Sequence, residues 1–404
     1  MKWLKASLLD ICNPKQWPTI SSKELTSSGY PVYGANGQIG YYHSYNHEEP
    51  TILVTCRGAT CGTLNISPPK SYTTGNAMAL DDIRSDLVDF KFLYYSLLSR
   101  GLKDTITGAA QPQITRKNLS IVNLSIPSLS EQKQIVKILD RADELRKQRA
   151  EADALSERIL PALFIKMFGD PATNPMGWDV IKLGDLSEVQ GGLQLTPKRK
   201  DNPLTLPYLR VANVYRNKLK LDEIKEINVT KEEVKRIALQ KDDILIVEGH
   251  GNRDEIGRSA IWDNSIVSCL HQNHLIRVRV NKSQINPIYL NTFINSAGGR
   301  EQLFKVGKTT SGLNTISVSN VRKINILVPP LESQINFAQK VDDFQRISEQ
   351  REIANTKINE LFDNLLYRAF SGDLTAQWRE AHMTELLQEM EYQTKALNLQ
   401  PTLF

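Results

Sequence analysis

Two long stretches of the chain carry apolar residues at alternating spacings of three and four. The first ladder runs Ile135, Ile138, Ala142, Leu145, Arg149, Ala152, Ser156, Ile159, Leu163, and seven of its nine positions are apolar. The second runs Phe337, Lys340, Phe344, Ile347, Arg351, Ala354, Ile358, Leu361, Leu365; it repeats the first at an offset of 202 residues and is again apolar at seven of nine. A mean spacing of 3.5 residues is the pattern of helices packed along a seam. Arg149 and Arg351 interrupt the ladders at equivalent places, and an antiparallel pair brings such mid-helix positions near one another. Ser128-Leu-Ser-Glu131 has capping-box spacing at the head of the first helix. Pro161 is expected to kink or end that helix. The rest of the chain alternates β-rich runs, such as Thr51-Ile-Leu-Val-Thr55, Ile244-Leu-Ile-Val247 and Leu275-Ile-Arg-Val-Arg-Val280, with turn signals and helical stretches near 90–99 and 287–295. The pattern predicts an α+β, mixed architecture, with its topology left open.

The duplication is wider than the ladders. Ile114-Thr-Arg-Lys-Asn-Leu-Ser-Ile-Val-Asn-Leu-Ser-Ile-Pro127 is matched by Ile316-Ser-Val-Ser-Asn-Val-Arg-Lys-Ile-Asn-Ile-Leu-Val-Pro329, and the helices end alike in Met167-Phe-Gly-Asp170 and Phe370-Ser-Gly-Asp373. Trp3, Leu8 and Asp10 echo Trp178, Leu183 and Asp185 at an offset of 175, so the second half carries about 27 more residues before its helix. The chain therefore reads as globule (1–127), helix (128–170), globule (171–329), helix (330–372) and a helical tail (373–404). In the tail, Trp378, Met383, Leu386, Leu387, Met390 and Tyr392 are available to pack on the chain itself or on a partner.

Charge follows this division. The four segments 1–127, 128–170, 171–329 and 330–404 have net charges of +3, 0, +7 and −5. Basic globules point to a polyanion, most often nucleic acid. At 404 residues the chain has room for more than one core. No apolar run approaches a membrane span, and Met1-Lys-Trp-Leu-Lys-Ala is unlike a signal peptide. Four cysteines (Cys12, Cys56, Cys61, Cys269) do not make a disulfide framework and fit reduced thiols in a cytoplasmic protein.

Motifs that would carry chemistry fail on inspection. Gly307-Lys-Thr-Thr310 lacks the earlier glycine of a phosphate loop, because position 302 is Gln302. The glycines of Glu248-Gly-His-Gly-Asn-Arg-Asp-Glu-Ile-Gly257 are wrongly spaced for a nucleotide cradle. Cys269-Leu-His271-Gln-Asn-His274 lacks a second ligand pair and reads better as a strand. Neither the Cys56/Cys61 pair nor His43 and His47 makes a convincing metal set. The two Pro-Pro pairs, Ser67-Pro-Pro-Lys70 and Val328-Pro-Pro-Leu331, lack the aromatic residue of an amino-methyltransferase motif. No metal site, cofactor or catalytic constellation is expected in this chain.

At the duplicated junction Ile126-Pro-Ser-Leu-Ser-Glu-Gln-Lys-Gln-Ile135, its copy Val328-Pro-Pro-Leu-Glu-Ser-Gln-Ile335, and Ala369-Phe-Ser-Gly-Asp-Leu-Thr-Ala-Gln-Trp-Arg379, the chain resembles the specificity (S) subunit of Type I restriction-modification systems. Pro31-Val-Tyr-Gly-Ala-Asn-Gly-Gln-Ile-Gly40 and Arg57-Gly-Ala-Thr-Cys-Gly62 resemble segments of that family's target-recognition domains. One departure is Ser333, which stands where the first copy has Glu131 and weakens the second cap. The resemblance implies two α/β target-recognition domains separated by an antiparallel two-helix coiled coil with pseudo-twofold repeat, each domain reading half of a split target in double-stranded DNA. It also implies two adenine methyltransferase subunits and two restriction/translocase subunits as partners, no membrane, and S-adenosylmethionine, ATP and Mg on those partners rather than here. A helix over 130–160 would be about 46 Å long, a little over one turn of B-DNA. The alternative is a coiled-coil scaffold whose two basic modules bind RNA, other nucleic acid or protein outside restriction-modification.

Base edges in the major groove are read by Arg or Lys at guanine and by Asn or Gln at adenine, while phosphates take Lys, Arg and hydroxyls. In the first globule this singles out Arg57 and Thr60 after a strand, Gln111 and Gln113 in the 108–115 loop, and Lys103 and Arg116 for phosphates. In the second it singles out His250, Asn252 and Arg253 after Ile244-Leu-Ile-Val247, Lys308 and Asn314 in the 308–314 loop, and Lys198 and Arg199 for phosphates.

Overall fold

The computed structural model describes residues 3–35, 37–310 and 313–397; at 253, 308–310 and 313–314 it gives the backbone only. By its internal contacts the chain divides into two units, Met1–Ala150 with Ala354–Phe404, and Glu151–Ile353. Each unit therefore takes part of each long helix.

In the first unit, strands Asn13–Gln16, Ala77–Asp81, Thr51–Thr55 and Leu64–Ser67 lie in that order in an antiparallel sheet. All five residues of Thr51–Thr55 are buried, as fits a short apolar run rich in β-branched residues and flanked by turn signals. A second sheet orders Gly37–Tyr42, Tyr30–Gly34 and Tyr72–Thr73, and Leu4–Ser7 pairs with Asn123–Ile126. The core joins Ile52, Val54, Phe92 and Leu124 to Ile135 and Leu139 of the helix Leu129–Ser156 and to Phe362, Leu366 and Ala369 of the helix Leu331–Ser371.

The second unit repeats this plan. Its four-stranded sheet orders Ser187–Gly191, Leu275–Val280, Ile244–Val247 and Ser259–Ile261. Its second sheet orders Lys225–Val229, Leu204–Leu209 and Leu270–His271, again with one parallel pairing. Asp179–Lys182 pairs with Asn325–Val328 as Leu4–Ser7 does with Asn123–Ile126. Part of the extra length of this half is a hairpin, Val214–Tyr215 against Lys218–Leu219. Phe164 and Phe168, on the helix Ile159–Phe168, clasp Phe337 at ring separations of 5.5 Å and pack on Tyr289.

The two units are closed from different parts of the chain. In the second, Trp178 donates its indole N–H to the Phe168 carbonyl at the end of the preceding helix (2.9 Å). In the first, the segment after the second long helix supplies the counterpart: Arg379 lies 5.7 Å from the Trp3 ring and donates to the Gly372 carbonyl. The tail packs on this unit. Glu131, fully buried, accepts from Thr375 Oγ1 at 2.6 Å and Arg379 Nε at 2.8 Å. Glu389 accepts from the Ser130 amide, Gln393 donates to the Leu87 and Pro127 carbonyls, and Arg84 donates to the Ala396 carbonyl. The capping box is thus half realised. Ser128 Oγ accepts from the Glu131 amide at 3.4 Å, but the Glu131 carboxylate turns to the tail.

Within each unit the two helix segments run antiparallel. In the first, Arg149 Nε donates to Asn355 Oδ1 and Arg146 Nε to Asn359 Oδ1, both at 3.0 Å, with Arg146 stacked 4.2 Å over Phe362. In the second, Arg351 Nε donates to Asp153 Oδ1 at 2.9 Å. Shifted by 202 residues, Arg149–Asn355 becomes Arg351–Asp153, so the duplicated sequence makes the same contact once in each unit. The seam departs from the expected ladder. Ile135, Ile138, Ala142, Arg149, Phe337, Phe344, Arg351, Ala354 and Ile358 are buried or half-buried. Leu145, Ile159, Ile347 and Leu361 are instead 47%, 50%, 54% and 59% exposed, and Ala152 is exposed too. A straight helix drifts about 20° per heptad against a 3.5-residue ladder, so buried positions shift to Leu139, Phe362 and Leu366. Pro161 marks the expected break, which falls a few residues ahead of it. The first helix stops at Ser156 and a new one begins at Ile159. Proline clashes with the carbonyl four residues back, at Glu157, and is tolerated only in a helix's first turn.

Candidate nucleic-acid interface

In each unit the structure brings together two loops that are 45 or more residues apart in sequence. In the first unit the buried strand Thr51–Thr55 runs out into 56–62, where Gly58 and Gly62 take φ near +90°. This loop is bound by backbone hydrogen bonds to 107–114: Ile114 N donates to Cys56 O (3.0 Å), Gly58 N to Pro112 O (3.1 Å), and Arg57 bridges Gln113. Gln113 in turn exchanges backbone hydrogen bonds with Thr107 at 2.8 and 2.9 Å. The turn between them needs Gly108, since a β-carbon there would lie 2.5 Å from the Gln111 carbonyl oxygen. Arg57, Gln111 and Gln113 are exposed on this platform. Lys103, on the 3-10 turn Lys103–Thr105, and Arg116, opening the short helix Arg116–Leu119, are exposed beyond it. None of these five side chains makes a hydrogen bond or ion pair among the described residues. Thr60 does: its hydroxyl, like that of Thr55, faces the Ala35 carbonyl at the tip of the hairpin formed by Tyr30–Gly34 and Gly37–Tyr42.

The second unit builds the same platform. Ile316 N donates to Glu248 O at 2.8 Å, the counterpart of Ile114 to Cys56. Gly249 pairs with Thr315, His250 with Asn314, and Asn314 with Thr309. His250 Nδ1 accepts from the Asn252 amide and Asn252 Oδ1 from the Asp254 amide, both at 3.0 Å. Those two atoms shape the turn and leave the His250 Nε2 edge and the Asn252 amide nitrogen for other partners. The side chains of Arg253, Lys308 and Asn314 lie outside the described residues.

One phosphate candidate is corrected. Arg199 is committed internally: Nη1 donates to both Glu233 oxygens (2.9 and 3.0 Å) and Nε to the Gln194 carbonyl (2.6 Å). Burial pushes the Glu233 carboxyl up, but the Thr230 amide and Arg199 outweigh it and hold it below its ordinary value. Lys198, beside it on the turn Pro197–Asp201, stays exposed. Sequence reasoning missed a group around the turn Arg253–Glu255: Arg216, Arg258 and Arg300 all reach it. Arg216, Lys218 and Lys220 lie close together in the sequence, but nothing local fixes where a hairpin docks.

The residues weighed as metal ligands sit elsewhere. Cys269 and His271 are buried in the sheet, and burial pushes the Cys269 thiol up to about 12. His47 hydrogen-bonds Asn46 and Asp81. Among the described residues no group of three or more His, Cys, Asp or Glu is placed to hold a metal, and no helix is long and apolar enough to cross a membrane.

Comparison with known proteins matches both halves. The model of the Type I restriction modification DNA specificity domain fits residues 1–152 and 175–361. The specificity subunit of the Type I restriction enzyme StySPI of Salmonella potsdam is 26% identical over 338 residues, 80% of this chain and 70% of that protein. That of EcoKI from Escherichia coli K12 is 26% identical over 306 residues, 71% of this chain and 65% of that one. The crystal structure of a Type I restriction-modification S subunit from M. genitalium shares the fold, with a TM-score of 0.55 at 17% identity over 92% of this chain and 96% of that one. The match across both repeats places the chain in the Type I restriction modification DNA specificity domain family.

Proposed function

We propose that this chain is the DNA-recognition subunit of a Type I restriction-modification complex, reading an asymmetric, two-part target in duplex DNA. The observation that carries the reading is the platform built twice, in units that share a plan but not their exposed side chains. The first presents Arg57, Gln111 and Gln113; the second presents the loop of His250 and Asn252. Different side chains on the same frame give different half-sites, hence no palindrome. Lys103, Arg116 and Lys198 serve phosphates, and Arg253, Lys308 and Asn314 complete the second platform. The two half-sites are separated by a stretch of unread bases.

This chain supplies recognition, not chemistry. Two adenine methyltransferase subunits carry S-adenosylmethionine and flip the target base; two restriction subunits carry ATP and Mg. The apolar residues left exposed on the helix pairs, Leu145 and Leu361 in the first unit and Leu155, Ile159, Ile347 and Ile353 in the second, are where helices of those partners dock. The work is done in the cytoplasm. The scaffold alternative is not favoured, since the specificity-domain match covers both halves.

The test is to express the chain with and without an adenine methyltransferase subunit and map methylated adenines by single-molecule sequencing. The expected result is one bipartite asymmetric motif that requires both proteins. Methylation without the chain, or a contiguous motif, would overturn the reading.

A further inference from the structure

The arginines around the turn Arg253–Glu255 point to a site of their own. The inserted hairpin turns at Asn217, which takes a left-handed φ of +57°. Its tip is fastened down: Asn217 N donates to Ser259 O at 2.9 Å, and Asn217 Oδ1 accepts from Asn291 and Asn295 at 2.8 and 2.7 Å. That sets Arg216 over the turn, where it donates to the Asp254 carbonyl at 2.8 Å. Arg300, on the helix Ala297–Val306, donates to the same oxygen at 3.2 Å. A third guanidinium, Arg258, bonds Glu255 (2.7 Å) and the Val211 carbonyl (3.0 Å) beneath the Tyr215 ring.

Counter-charge is short here. Glu255 is taken by Arg258. Asp254 is 77% exposed and only reaches Arg300 at 3.5 Å. Arg216 Nη1, Arg258 Nε and Arg300 Nε are buried with no acceptor among the described residues. Burial, and then the charges of Arg300 and Arg258, depress the proton affinity of Arg216. A fold that only needed to brace this turn would not converge three like charges on it.

We propose that Arg216 and Arg300 form a seat for one phosphodiester of the DNA, entered when the loosely held Asp254 carboxylate swings aside. Planar guanidinium forks match phosphate oxygens two at a time. The turn continues directly from His250 and Asn252, so a phosphate fixed here sets the register in which that loop meets base edges. The seat rests on the reading of this unit as DNA-binding and adds to it a backbone contact carried by the inserted hairpin.

The test uses the full chain and a fluorescent duplex of mixed sequence, titrated across a salt series. Arg216→Gln and Arg300→Gln should each flatten the log–log salt slope by about 0.9, the loss of one phosphate contact. Between about 50 and 200 mM salt that is roughly a 3.5-fold smaller loss of affinity. Asp254→Asn should tighten binding several-fold, but not in the Arg300→Gln background. Unchanged slopes, or an Asp254→Asn gain that survives Arg300→Gln and so reflects bulk charge alone, would overturn the seat. A second measurement does not depend on DNA. Millimolar inorganic sulfate should raise the melting midpoint of the wild type more than that of the Arg216→Gln/Arg300→Gln double variant. Equal shifts would refute the seat. A wild type that ignores duplex DNA yet shows the sulfate difference would refute the DNA reading and keep the anion site.

Discussion

His271 makes the second unit sensitive to acid. It lies in the strand Leu270–His271, which pairs parallel to Leu204–Leu209. It is fully buried, and neither ring nitrogen has a partner among the described residues. Burial, then the charges of Arg277, Arg236 and Arg279, hold its pKa down at about 3, against an ordinary 6.5. The unfolded chain therefore takes up a proton that the folded unit refuses. The stability at stake is intact above pH 6.5 and drains away as the pH falls toward 3. One proton corresponds to about 1.4 kcal/mol per pH unit, so between about pH 7 and pH 5 this residue withdraws roughly 2 kcal/mol. Carboxylates elsewhere also titrate, so the measurement is a comparison. Urea unfolding of the wild type and of His271→Leu is followed by tryptophan fluorescence at pH 7, 6 and 5. Leucine removes a buried polar group that has no partner, which is not itself costly. The wild type should lose about 2 kcal/mol more than the variant over this range. Parallel losses would show that His271 takes up its proton within the native fold, and the argument from burial would fail.

Other consequences follow from individual contacts. Glu131→Gln strips the buried carboxylate from Arg379 and should cost about 3–5 kcal/mol, as breaking a buried pair does; limited proteolysis should then cut near Gly372, and an unchanged cleavage pattern would show that the tail is held by packing alone. Arg351→Leu and Asp153→Leu should each destabilise by about 1–3 kcal/mol while the double variant costs less than their sum; additive losses in urea unfolding would mean the pair contributes nothing as a pair. Arg57→Ala should relax base preference in one half-site, by about 1–3 kcal/mol if the contact is bidentate, whereas Lys198→Ala should weaken all sequences alike and lower the salt slope by about 0.9. Methylome motifs and binding titrations separate the two, and a base-selective loss from Lys198→Ala would contradict its assignment.

What could be read in the sequence was what local pattern or exact duplication determines. The long helices follow from their ladders, and the platforms follow from strands that end in glycine-bounded loops. The pairing of 56–62 with 107–114 is not derivable from spacing, though both loops stand out by residue type. What could not be read depends on partners far along the chain. Arg199 looks like a free cation until Glu233, 34 residues away, takes it up. Glu131 looks like half of a capping box until Arg379 arrives from 248 residues away. The docking of the inserted hairpin is set by Asn291 and Asn295, on a helix more than 70 residues downstream.

The ladder error has a physical content of its own. Leu145, Ile159, Ile347 and Leu361 belong to the 3.5-residue ladder but are 47% to 59% exposed, so the helices carry apolar residues that the pair alone does not cover. An isolated pair would be better served by polar residues there, since exposed leucine and isoleucine give solubility nothing in return. Each unit instead carries a polar contact between its helix segments, Arg149 to Asn355 in the first and Arg351 to Asp153 in the second. Polar residues in a seam fix register at a cost in stability. A helix pair that sets a polar contact among its buried apolar residues is organised to hold one alignment. The duplication supports this, because Arg149 and Arg351 are the same position of the repeat, making that contact once in each unit.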